Sequence, residues 1–165
     1  MLEYTVTAER TGPARAVARC REAEIALDTD PAGRADAFNP AELLLAAVAA
    51  CMLKGIERVG PMLKFHWRGA NLRIHGVRQD APPRMARIDY ELVVDTDESD
   101  ARLDLLHRNL RQYGTIHNTV AAAVELTGTV RRAQAPPVGA GSAVGSRGET
   151  AGTHRETAPP AVRHG

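Results

Sequence analysis

The stretch Asn39-Pro40-Ala41-Glu42-Leu43-Leu44-Leu45-Ala46-Ala47-Val48-Ala49-Ala50-Cys51-Met52-Leu53 decides how this chain is read. It opens as a helix start: Asn39 can cap, Pro40 suits the first helical position, and Glu42 stands three residues after the cap, in the capping-box position. The sequence predicts a helix over 41–59. Its first half is apolar on all sides, which predicts burial on every face. A domain this small lacks the surface to enclose such a helix, and a partner subunit is the simplest source of cover. The apolar run Leu43 to Leu53 is eleven residues, well short of the ~20 that span a bilayer, so no membrane insertion is expected.

Cys51 lies about twelve positions into this helix, so the helix N-terminus is ~18 Å away at 1.5 Å per residue. The dipole fades beyond the first turn and cannot activate the thiol. Lys54 at i+3 and Arg58 at i+7 lie on or near the same face and can favour a thiolate. Local sequence alone favours Cys51 as a small core hydrophobe with Lys54 snorkelling outward.

Outward from the helix, periodicity alternates. Leu2 to Glu9, Ala14 to Arg21 and Glu22 to Asp28 read as strands, followed by the loop Asp28-Thr29-Asp30-Pro31-Ala32-Gly33. Residues 65–78 and 85–96 read as two more strands joined by Asp80-Ala81-Pro82-Pro83. Glu98 to Tyr113 reads as an amphipathic helix with Leu103, Leu106 and Leu110 on one stripe. Thr115 to Val124 reads as a short helix, and Leu126 to Arg131 as a final strand. Strands and helices are segregated, which predicts an α+β fold: antiparallel sheets packed around a buried central helix. Residues 133–165 contain no Leu, Ile, Phe, Tyr, Trp or Met and are rich in Pro, Gly and Ala. They cannot offset their chain entropy by burial and read as a disordered tail. The expected domain is 1–132.

The chain has 165 residues, 21 basic and 20 acidic side chains, 44% hydrophobic residues and 4% aromatics. Near-neutral charge argues against nucleic acid or acidic membrane surfaces as partners, and so few aromatics argue against base-stacking platforms. Two cysteines, Cys20 and Cys51, make neither a disulfide framework nor a Cys-rich zinc site. The N-terminus shows no targeting signal, so the cytoplasm is the expected location. The six histidines include no HExxH or HxH pair, and no metal site or cofactor is expected. His117 reads either as a capping or surface residue or as a base near Cys51.

The pattern Asn39-Pro40-x-Glu42-Leu43-Leu44-Leu45-Ala46-Ala47-x-Ala49-Ala50-Cys51 resembles the OsmC/Ohr family, in which an Asn/Ser-Pro opens a buried helix bearing a cysteine eleven residues after the proline. Arg21-Glu22-Ala23-Glu24-Ile25-Ala26-Leu27-Asp28 resembles the family's approach to that helix. Tyr113-Gly114-Thr115-Ile116-His117-Asn118-Thr119-Val120 resembles the segment around its second cysteine. The resemblance covers about residues 1–131. It implies an intertwined homodimer with sites at the interface, and thiol-dependent reduction of small organic hydroperoxides in oxidative-stress defence. Cys51 matches the cysteine that attacks the peroxide and becomes a sulfenic acid, which a second thiol then condenses with.

Two departures qualify this. The second cysteine falls at Gly114, so recycling would need an external thiol or dithiol reductant. The carboxylate of the best-studied branch falls at Ala41, leaving Glu42 and the loop residue Arg34 as the nearest counterparts. Glu42 is nine residues before Cys51, ~13 Å along the helix and on its far side, so joint action would have to cross the dimer. Arg21, Lys54 and Arg34 are candidate stabilisers of a thiolate or leaving alkoxide. A branch resemblance also covers Cys51-Met52-Leu53-Lys54-Gly55-Ile56-Glu57-Arg58 and Leu106-His107-Arg108-Asn109. The alternatives are a non-catalytic protein holding an apolar small molecule or lipid, and a redox sensor in which Cys51 does not turn over peroxide.

Overall fold

A computed structural model describes residues 1–134. All but the first two residues of the expected tail, 135–165, lie outside them. In chain order the elements are β1 (Thr7–Gly12), β2 (Arg15–Cys20), β3 (Ala23–Asp28), α1 (Pro40–Leu63), β4 (Gly69–Gln79), β5 (Arg84–Asp95), α2 (Asp100–Tyr113), α3 (Thr115–Ala121) and β6 (Glu125–Arg132). The class is α+β, as expected. The strands form two three-stranded sheets, β1-β2-β3 and β4-β5-β6.

Helix α1 begins where the sequence places it. The Asn39 side chain accepts from the Glu42 amide at 3.0 Å, and the Glu42 carboxylate accepts from the Asn39 amide at 2.8 Å. This is a reciprocal capping box with Pro40 in the first turn. The helix runs past the expected end at 59 and holds Pro61 within its last turn. It stops at Lys64, which takes a left-handed conformation (φ 49°) and donates its amide to the Pro61 carbonyl.

One face of α1, carried by Val48, Met52, Ile56, Val59 and Gly60, is buried. Spacings of three and four residues set these side chains in one ridge. The ridge packs on β4, α2 and α3, and α2 supplies Leu103, Leu106 and Leu110. The second sheet adds Ile88, Tyr90, Leu92 and Val94, which alternate with half-buried neighbours along β5.

As expected of a domain this small, α1 is not enclosed by its own chain: Ala50, Leu53, Lys54, Glu57 and Arg58 are exposed. Two expectations need correction. First, the second sheet is mixed rather than antiparallel. β4 and β5 form an antiparallel hairpin, but β6 pairs parallel to β5, with Ile88 opposite Leu126 and Leu92 opposite Val130. The two helices between β5 and β6 make the long crossover that a parallel pair requires. Second, the first strand starts at Thr7, and Leu2, Tyr4 and Val6 lie outside it, largely exposed.

The first sheet is an antiparallel meander, with Val17 opposite Glu9 on one side and Ala26 on the other. Its substantial contacts are among its own strands, and no helix among the described residues packs substantially against it. No helix among the described residues is long and apolar enough to cross a membrane.

Candidate functional site

Cys51 lies on α1 one residue before the buried Met52, and its side chain is partly exposed. The α2–α3 junction faces it. Gly114 ends α2 and starts α3 with φ −78° and ψ 103°, an ordinary extended conformation. A Cβ built on Gly114 would stand 3.4 Å from Cys51 Sγ, 3.0 Å from His117 Cβ and 2.7 Å from the Leu110 carbonyl oxygen. The position that the resemblance gives to the second cysteine therefore touches the thiol of the first. Glycine stands there because the junction leaves no room for a side chain, not because the backbone demands it.

His117 is buried, with 4% of its surface exposed. Neither ring nitrogen has a hydrogen-bond partner among the described residues. A buried polar group left in this state costs about 1–3 kcal/mol. Burial, and more weakly the Arg111 charge, pull its pKa below the ordinary histidine value against the opposing influence of the neighbouring Asn118 side chain, so the ring is neutral at pH 7. A neutral imidazole offers one donor and one acceptor. His117 is thus a buried residue rather than a surface one, and its Cβ and Cys51 Sγ both border position 114, with no hydrogen bond between the ring and the thiol.

A second pair, not singled out in the sequence, joins β5 to α2. Tyr90 Oη and His107 Nε2 are 2.8 Å apart, with their rings edge to face. Burial raises the Tyr90 pKa and lowers that of His107. The signal was present: Tyr90 occupies a core-facing position of β5, and a buried tyrosine hydroxyl needs a partner. His107 lies beside the Leu103-Leu106-Leu110 stripe. Gly128 lies opposite Tyr90, and a Cβ there would clash with the tyrosine ring at its Cζ.

The charged candidates are held elsewhere in the single chain. Glu42 is engaged in the helix cap. The Arg34 guanidinium pairs with Asp36 at 2.6 Å and donates to the Ala14 carbonyl at 3.4 Å. This pairing lowers the Asp36 pKa. Asp28 organises that loop, accepting from the Asp30 amide at 2.8 Å and the Arg34 amide at 2.9 Å. Arg21 is exposed at the turn between β2 and β3, in the left-handed region (φ 56°). Lys54 is exposed on α1. No hydrogen bond joins any of the four to Cys51 among the described residues. Cys20 ends β2. No group of three or more His, Cys, Asp or Glu side chains among the described residues is arranged to hold a metal ion.

The OsmC-like protein family model matches residues 33–128. Comparison with curated proteins gives no match. Among solved structures, an OsmC-like protein from Mycoplasma pneumoniae superposes with a TM-score of 0.75 at 19% identity, covering 81% of this chain and 99% of that one. An organic hydroperoxide resistance protein OsmC from Legionella pneumophila gives 0.61 at 17% identity, covering 79% and 98%. The organic hydroperoxide resistance protein OhrB of Bacillus subtilis gives 0.57 at 19% identity, covering 79% and 98%. These likenesses share the fold, and the matched residues include the capping box, Cys51, Gly114 and His117. The chain belongs to the OsmC-like protein family.

Proposed function

We propose that this protein reduces organic hydroperoxides through Cys51, without a resolving cysteine of its own. The observation that carries this reading is the contact between Cys51 Sγ and position 114. Two solved structures of the same fold are named organic hydroperoxide resistance proteins. The Cys51 thiol attacks a peroxide oxygen and becomes a sulfenic acid, and the peroxide leaves as an alcohol. Because position 114 carries no thiol, an external thiol condenses with that sulfenic acid to a mixed disulfide and water, and a second thiol, from the same dithiol, a second small thiol or another protein, releases Cys51 as the thiol and leaves as the disulfide.

The working unit in this reading is a homodimer of the 1–132 domain in the reducing cytoplasm, with residues 133–165 as an appended tail. Uncovered apolar surface supports the dimer: Leu2, Tyr4, Val6, Ile25 and Phe38 are exposed, as is Leu53 on α1. A second chain laid on these surfaces enclosing α1 would bring charged groups to Cys51 that its own chain does not. Arg34, Glu42, Arg21 and Lys54 are the candidates. Arg34 and Glu42 must first leave Asp36 and the helix cap.

A second reading is favoured by one observation. The cation and carboxylate nearest to the family's polarising pair are both occupied. In that reading the interface holds an apolar small molecule or lipid, or Cys51 acts as a redox sensor. Purified protein mixed with cumene hydroperoxide and a dithiol separates the two. Peroxide consumption that disappears in Cys51→Ser supports the reductase; none with any dithiol favours the binding protein or sensor.

A further inference from the structure

We propose that α3 is an acid-released latch: when His117 takes up a proton, α3 leaves its seat against α1 and α2 and opens the junction that Cys51 borders, while the rest of the fold stays closed. The proposal concerns how the junction opens, and it holds whether or not Cys51 turns over peroxide.

Three observations point to it. His117 is 4% exposed, and neither ring nitrogen has a hydrogen-bond partner among the described residues. The ring is seated as an apolar group would be, and only its neutral form suits the seat, because a buried charge without a partner is among the costliest groups a fold can hold. Second, little else holds α3. It runs for seven residues, starts at Gly114 without a side-chain cap, and buries two side chains, His117 and Val120. A helix this short does not persist without its packing. Third, the junction closes around His117. A Cβ on Gly114 would stand 3.0 Å from His117 Cβ and 3.4 Å from Cys51 Sγ, so departure of His117 clears one side of the space that the thiol borders.

The surrounding groups give an imidazolium no support. α2 brings the Arg111 cation and a second imidazole, His107, whose charge opposes that of His117. α1 brings the Cys51 thiol. Its carboxylates lie elsewhere, Glu42 in the helix cap and Glu57 exposed. β6, which also packs on α3, buries the uncharged Leu126, and its Glu125 is exposed on the other face of the strand. On α3 itself the Asn118 side chain favours the charged ring. It makes no hydrogen bond to that ring and donates instead to the Gln112 carbonyl at 3.0 Å.

The sign follows from where the proton binds. Burial, and more weakly the Arg111 charge, hold the seated ring below the ordinary histidine value. Released into water, the ring returns to about 6.5. Above that pH neither form binds the proton, and the latch stays shut. Below it the open form binds a proton that the closed form does not. The open fraction then rises about tenfold per pH unit until the closed-state value is reached. The fully buried Ile88, Leu92 and Val94 of β5 sit in the core under other elements, and do not depend on this proton.

The test is amide hydrogen exchange of the full native chain between pH 7.5 and 5, read by mass spectrometry on peptides. Each rate is divided by the intrinsic exchange rate at that pH, so that only opening is read. Protection of the amides from 118 to 121 should fall about tenfold per pH unit below 6.5, while that of Ile88 to Val94 stays level. His117→Leu fills the seat and cannot ionise, and should remove the slope. His117→Gln, neutral and polar, should remove it too and serves if leucine distorts the seat. His107→Gln leaves His117 in place and should keep the slope. A native α3 whose protection is level from pH 7.5 to 5 overturns the latch, a result that needs no substitution. So does loss of protection by the same factor in α3 and β5, which is global unfolding. A slope that survives in both His117 variants, or vanishes in His107→Gln, overturns the assignment to His117.

Discussion

Replacing Gly114 with alanine probes the α2–α3 junction directly. With φ −78° and ψ 103°, the backbone at 114 accepts any residue. On conformational grounds alone the change would stabilise by about 0.4–1 kcal/mol, by restricting the unfolded chain. The surroundings reverse that sign. The new methyl would meet the Leu110 carbonyl oxygen at 2.7 Å, and that atom is backbone, locked in the last turn of α2. His117 Cβ at 3.0 Å closes a second side. Overpacking of this kind costs about 1–3 kcal/mol. The net expectation is a loss of roughly 0.5–2 kcal/mol, or several degrees of melting temperature for a domain of this size. Urea denaturation and thermal melts under reducing conditions, at matched protein concentration, read it. The same steric argument applies to Gly114→Cys: reduced, that variant should be less stable than the native chain. A Gly114→Ala protein as stable as the native one, or more so, would refute the claim that the junction is closed to a side chain. The missing second cysteine would then be an isolated substitution that the fold tolerates either way.

Other outcomes follow from the same geometry. His107 and His117 are both held below the ordinary histidine pKa of about 6.5 by burial. Above 6.5 neither state binds the extra proton. As pH falls below it the unfolded chain protonates first, so stability is lost by up to about 1.4 kcal/mol per pH unit for each histidine, until the folded-state pKa is reached. Urea midpoints between pH 7.5 and 5 should fall, and a double His107→Gln, His117→Gln protein should show a flatter dependence. Tyr90→Phe removes the hydroxyl from His107 Nε2, and should destabilise by about 1–2 kcal/mol and shift the His107 resonance in NMR titrations. Gly128→Ala drives a methyl against the Tyr90 ring, and should cost about 1–3 kcal/mol, measurable as a lowered urea midpoint.

Much of this arrangement was legible in local chemistry. Asn39, Pro40 and Glu42 announce the start of α1 because a capping box involves only neighbours, and the Leu103-Leu106-Leu110 stripe defines α2 for the same reason. The position of Gly114 against Cys51 came from the resemblance rather than from periodicity. Features set by distant partners were not legible. β6 joins β5 in parallel because of where two helices deliver it, and a strand's own alternation does not record its direction. The first half of α1 is apolar all round, yet its own chain covers one face of the helix, since burial depends on how many surfaces exist. Arg34 looks like a free loop cation in sequence, but the backbone geometry around Asp28 brings it to Asp36. His117 gives no periodic signal in a seven-residue helix, and its burial appears only when α1 and α2 are packed against it.

The central claim is that the thiol of Cys51 is a reacting group. Its most direct test is mass spectrometry of the purified full chain after one equivalent of cumene hydroperoxide, with a sulfenic-acid trap present and the adduct mapped by peptide. The adduct is expected on Cys51, forming much faster than on Cys20. An unmodified Cys51, or equal slow modification of both cysteines, would contradict the account.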